Sequence, residues 1–152
     1  MKRFTPVLFL LLFMAACSDS DLNKMASASK KFAAAVGQVQ ADVHAAHDAN
    51  LISQAVNDKI DVVCTKANNA DIQINAILRA IQDAKATSID APRKQQILDI
   101  MTAVSRSLDV SQIEDLAGIK NADTRNKIEA AFAGVRTAIS AMQIILASSG
   151  GA

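Results

Sequence analysis

Apolar and small residues recur along this chain in steps of three and four, the spacing that lines one face of an α-helix. The first run reads Leu22, Met25, Ser29, Phe32, Val36, Val39, Val43, Ala46 and Asn50, with Ser20 or Asp21 able to cap its start. Asn50-Leu51-Ile52 breaks the run, and Ser53 can cap a second helix whose seam is Val56, Ile60, Val63, Ala67, Ala70, Ile74, Ile77, Ile81 and Ala84. Thr87-Ser88-Ile89-Asp90 ends that helix. Pro92, which suits a first turn and not a helix interior, marks the third, with Ile97, Ile100, Met101, Val104 and Leu108 on its face. Ser111-Gln112-Ile113-Glu114 has the spacing of a capping box and predicts a short extra helical turn that Gly118 ends. Asn121 or Asp123 then caps a fourth helix, carrying Ile128, Phe132, Val135, Ile139, Met142, Ile145 and Leu146. No segment alternates as a strand would. A period near 3.5 over four long helices predicts an all-α fold, an antiparallel (up-down) four-helix bundle over residues 21–148 with a frayed tail at 149–152. Gly37 and Gly134, inside the first and fourth helices, are read as points of close helix approach.

Composition narrows the functions open to such a bundle. The chain has 152 residues, no Trp and no Tyr, and Phe4, Phe9 and Phe13 of its five phenylalanines lie before residue 17. Without exposed aromatic rings there is no stacking platform for bases or sugars. Net charge is +1, and setting Lys2 and Arg3 aside leaves 14 basic against 15 acidic residues. Nucleic acid, which calls for a strongly basic face, is not an expected partner.

The first residues have an organisation of their own. Met1-Lys2-Arg3 is a positive start, Val7 to Phe13 a short apolar run, and Ala15-Ala16 a pair of small residues before Cys17. That order reads as an export signal over 1–16, too short in its apolar part to span a bilayer. Met14-Ala15-Ala16-Cys17 resembles the lipobox of bacterial lipoproteins. The resemblance implies that the leader is cut before Cys17, that the Cys17 thiol carries lipid, and that residues 17–20 form a tether. Two or more acyl chains make such an anchor stable. By the same resemblance Ser18, in place of Asp, favours the periplasmic face of the outer membrane over the inner membrane or cell surface. Membrane lipid, held through Cys17, is then the expected partner, with an envelope protein as a further one.

Candidate chemistry is sparse. His44 and His47 form H-x-x-H beside Asp48, and a spacing of three sets both imidazoles along one side of a helix, where a carboxylate of another helix could complete a metal site. Solvated surface is the plainer reading, since both adjoin core positions Val43 and Ala46 on the outward side. Haem could sit between a histidine and Met25, Met101 or Met142, although no C-x-x-C-H attachment motif occurs. Cys64 adjoins seam residue Val63 and reads as a small buried hydrophobe. Nucleophile-elbow, phosphate-loop and zinc-protease signatures are absent, and Glu114 and Glu129 are the only glutamates. The expectation is a non-enzymatic module without a cofactor. A ligand, metal or haem carrier, or a membrane-active exclusion lipoprotein of the phage type, stands as the alternative.

Charge placement adds one element. In an up-down bundle Lys24, Lys30, Lys31, Arg93 and Lys94 gather at the pole next to Cys17, while the opposite pole is acidic. The basic set is the expected membrane-facing one.

Overall fold

The computed structural model describes residues 20–149, with backbone alone at 110–115 and 117. It consists of four helices, α1 (Asp21–Asp48), α2 (Gln54–Asp83), α3 (Ala91–Ala117) and α4 (Ala122–Ser148), and among the described residues there is no strand. Three of the four starts use the polar side chains that the sequence offers. Ser20, Ser53 and Asn121 accept from the backbone amides of Asn23, Val56 and Thr124, so each satisfies an amide that has no partner inside its helix. Asp90 serves α3 in the same way, its Oδ1 accepting from Arg93 N at 2.9 Å, with Pro92 in the first turn.

The ends of α1 and α2 share one device. Past the caps Ala49 and Ala84 stand Asn50 and Lys85 with φ of 56° and 53°. Asn50 N donates to His47 O and Leu51 N to Ala46 O; Lys85 N donates to Gln82 O and Ala86 N to Ile81 O. This paired closure is the Schellman arrangement, and it requires a left-handed residue just past the helix. Asparagine tolerates that conformation; lysine adopts it at a cost in backbone energy.

Cross-helix contacts give the directions. Ser29 meets Asp71 and Asn75, Gln40 meets Asn68, and His44 meets Asp61, so numbers fall along α2 as they rise along α1. Ala35 lies opposite Gly134, and Asp42, Ala45 and Ala46 face Thr124 and Lys127, so α1 and α4 are also antiparallel. Each helix packs on its neighbours in sequence and α1 closes on α4, and among the described residues the backbones of the diagonal pairs do not approach one another. The arrangement is a four-helix bundle.

One core runs its length. Met25, Phe32, Ile74, Ile97, Met101, Phe132 and Met142 are among its most enclosed side chains. At roughly 1.5–3 kcal/mol for each fully buried large side chain, this seam outweighs any single polar contact in the bundle. The three connections each contribute a buried isoleucine, Ile52, Ile89 and Ile119, which plug the bundle's ends.

Three sequence expectations need correction. The extra turn opened by Ser111 does not exist as a separate element: α3 is continuous to Ala117. No glycine or proline stands between Pro92 and Gly118, so propagation costs little, and a capping sequence inside a helix is not by itself a break. In α2 the seam holds in the middle but shifts at the flanks, where Asn57 and Leu78 are buried while Val56 and Ile77 are only partly so, and Ala84 is exposed. Gly37 has nothing near its missing Cβ, and Gly134 has only the Ala35 Cβ at 3.8 Å. Close packing explains neither glycine. The leader at 1–16, Cys17 and the tail at 150–152 lie outside the described residues.

Candidate functional site

Polar chemistry inside the bundle concentrates where α1 meets α2. Nearest the start of α1, fully buried Ser29 donates from Oγ to Asp71 Oδ1 at 2.6 Å. Asn75 Nδ2 donates to Asp71 Oδ2 at 2.9 Å and to Ser29 Oγ at 3.2 Å, so the carboxylate is held by both helices. Midway, Asn68 Nδ2 donates to Gln40 Oε1 at 3.3 Å. Near the end of α1, His44 Nε2 lies 3.0 and 3.1 Å from the two oxygens of Asp61. An ionised carboxylate only accepts, so Nε2 carries the hydrogen. Asn57 Nδ2 reaches the same carboxylate at 3.3 Å.

This ladder sits on fixed registers. Gln40, His44 and His47 follow at i, i+4 and i+7 along one edge of α1; Asn57, Asp61, Cys64 and Asn68 follow at i, i+4, i+7 and i+11 along α2. The lower end is incomplete. Asn57 is 7% exposed, and its Oδ1 is buried with no hydrogen-bond partner. An unpaired buried carbonyl oxygen costs about 1–3 kcal/mol. Beside it, burial first and the Asp61 charge second push the Cys64 thiol up to about 12. At neutral pH it is a thiol, and the thiol is not the nucleophilic form.

The residues singled out in the sequence fall as follows. His44 is exposed and paired with Asp61; His47, half-buried, has Nδ1 at 3.8 Å from Asp48. Asp48 does not join His44, and among the described residues no three His, Cys, Asp or Glu side chains converge on one point. The carboxylate that meets the histidine is Asp61, which the H-x-x-H motif does not reveal. Met25 and Met142 are core residues near the start of α1. His44 lies about 28 Å further along that helix, so haem cannot span Met25 and His44.

At the basic pole, Lys24 pairs with Asp21 at 3.6 Å and Arg93 with Asp90 at 2.7 Å. Lys94 Nζ donates to Ser149 O at 2.6 Å, a cation on the carbonyl end of α4, which places the start of α3 beside that end. Lys30 and Lys31 are exposed.

Two hollows accompany the ladder. A groove of about 410 Å³ between α2 and α3 has an apolar floor of Ala70, Ile100, Ala103 and Val104, with Lys66 and Asp99 on its walls. A smaller one, about 140 Å³, lies between α1 and α4 beside Asp42 and Lys127. Comparison of the chain with protein-family models, curated proteins and solved structures gives no match.

Proposed function

We propose that this chain is a lipid-anchored, non-enzymatic helical bundle of the bacterial cell envelope, acting as a structural or protein-binding module on the periplasmic face of the outer membrane. The observation that carries the reading is the lipobox-like Met14-Ala15-Ala16-Cys17 set directly against a folded bundle. α1 begins at Asp21 with Ser20 as its cap, so Ser18 and Asp19 alone separate Cys17 from that cap. The three residue-to-residue steps from Cys17 to Ser20 span at most about 10 Å, and the bundle would stand against the lipid surface.

α4 supports an anchor made of lipid rather than protein. Among the described helices it alone is long and apolar enough to cross a membrane by length and composition. Yet Ile128, Phe132, Val135, Ile139, Met142 and Leu146 are already buried within the bundle. Withdrawing them into a bilayer would empty the core, so the membrane-active alternative requires unfolding first.

Intact-mass analysis of the mature protein from its host tests the proposal. An N-terminus at Cys17 carrying acyl mass is the expected result. A mature chain beginning elsewhere, or an unmodified Cys17, refutes it.

A further inference from the structure

We propose that the groove between α2 and α3 binds one medium-chain monocarboxylate amphiphile, its carboxylate held by Lys66 and Ser107 and its alkyl chain laid over Ala70, Ile100 and Val104. The groove's volume of about 410 Å³ falls within the range of small-molecule sites, roughly 300–1,000 Å³. Its make-up is theirs as well, an apolar floor with a few polar groups at the rim. Small side chains create the space. Alanine stands on both walls, at Ala70 and Ala103, where a longer side chain would fill the gap between the helices. The floor is therefore apolar surface that the bundle's own packing leaves open to one side.

The two ends of the groove differ in chemistry. The start of α3 lies beside the end of α4, at the pole where α1 begins and α2 ends, so α3 runs opposite to α2. Lys66 and Ser107 therefore share one end, and Gln73 and Asp99 the other, about 10 Å away along α2. Among the described residues, the exposed Lys66 ammonium and the half-buried Ser107 hydroxyl have no hydrogen bond or ion pair. Thr137, Ser148 and Ser149 donate their hydroxyls to carbonyls three or four residues back; Ser107 does not. A cation and a hydroxyl, both unpartnered and both beside an apolar floor, are the donors that one carboxylate accepts from. Asp99 at the far end accepts from Gln95 Nε2 at 2.8 Å and keeps its negative charge there. It repels a second anionic group, which excludes a dicarboxylate and fixes the direction of the chain: head at Lys66, tail toward Gln73.

The purified full chain is titrated calorimetrically with decanoate and with decyltrimethylammonium, each below the concentration at which it forms micelles. Backbone amide shifts report where the probe lies, and circular dichroism checks the helicity of each variant. The expected result is one equivalent of decanoate per chain, with shifts centred on residues 66–73 and 99–107. Lys66→Gln should weaken binding by about tenfold or more, the worth of a charge-assisted hydrogen bond. Ala103 is exposed, so Ala103→Leu keeps the fold while filling the groove, and it should abolish binding. The cationic probe, with the same chain and the opposite head, should bind at least tenfold more weakly. Absence of saturable decanoate binding overturns the site. So does equal binding of the two probes, which would make the groove an apolar patch with no preference for an anion, or a Lys66→Gln or Ala103→Leu chain that binds like the parent.

Discussion

Single residues in this bundle show how burial sets chemistry. Cys64 is enclosed beside Asp61, and its thiol is pushed from an ordinary 9.0 up to about 12. Unfolded chain loses that proton near 9.0, whereas folded chain keeps it to about 12. Between those values the unfolded state binds fewer protons, so stability falls as pH rises through this window. In Cys64→Ala this part of the decline should vanish, although the variant starts lower because sulfur packing is lost. Thermal melts of both proteins across the alkaline range provide the check. Parallel slopes would mean that Cys64 does not titrate differently in the two states. The chain has no tyrosine, which removes one competing group from the measurement.

Elements were legible wherever a local signal carried them. Capping chemistry is local, so the start of α2 could be read directly from Ser53, while those of α1 and α4 could be narrowed to Ser20 or Asp21 and to Asn121 or Asp123; Ser20 and Asn121 are the caps. The α2 seam was legible at its centre and drifted at its flanks, because a strict 3.5-residue repeat departs from a straight helix by about 20° per heptad. Asn57 and Leu78 are the result. Ile52, Ile89 and Ile119 stand in the connections with no periodicity to betray them, and their burial follows only from closure of the bundle. The partnership of His44 with Asp61 was illegible for a similar reason, since it needs the register of two antiparallel helices. At Ser111 a local signal misled. Continuity of α3 there has a direct test in Gln112→Pro. A new helix capped by Ser111 would accept proline in its first position; inside a continuous helix it should cost about 3 kcal/mol. Urea unfolding measures the difference, and a neutral result would restore the break.

At the scale of the whole molecule, the charge asymmetry that the sequence suggests is reshaped by ion pairing. Asp21 and Asp90 partly offset Lys24 and Arg93, and Lys94 is turned onto the end of α4. Exposed pairs of this sort retain little net attraction for headgroups, so among the five cations named for this pole any orientation by surface charge would fall mainly to Lys30 and Lys31. Those two lie nine and ten residues into α1, about 14 Å above its start. That height exceeds the Debye length of about 8 Å at physiological ionic strength but not the roughly 30 Å at 0.01 M. An unlipidated chain from Ser18 onward should therefore bind anionic vesicles weakly at low salt, lose that binding at physiological salt, and ignore neutral vesicles. Changing Lys30 and Lys31 together to Gln should remove most of it. Changing Lys120, Arg125 and Lys127 at the far pole should not. Co-sedimentation with vesicles of defined composition reads all three proteins. If the two sets of changes act alike, surface charge does not orient the bundle, and the lipid proposed at Cys17 would be left as the sole proposed link to the membrane. If only the near-pole changes act, and only at low salt, the result fits an upright bundle whose two lysines stand within the Debye length at 0.01 M and beyond it at physiological salt; near-pole dependence that survives physiological salt would instead mean that the α1 side leans toward the headgroups.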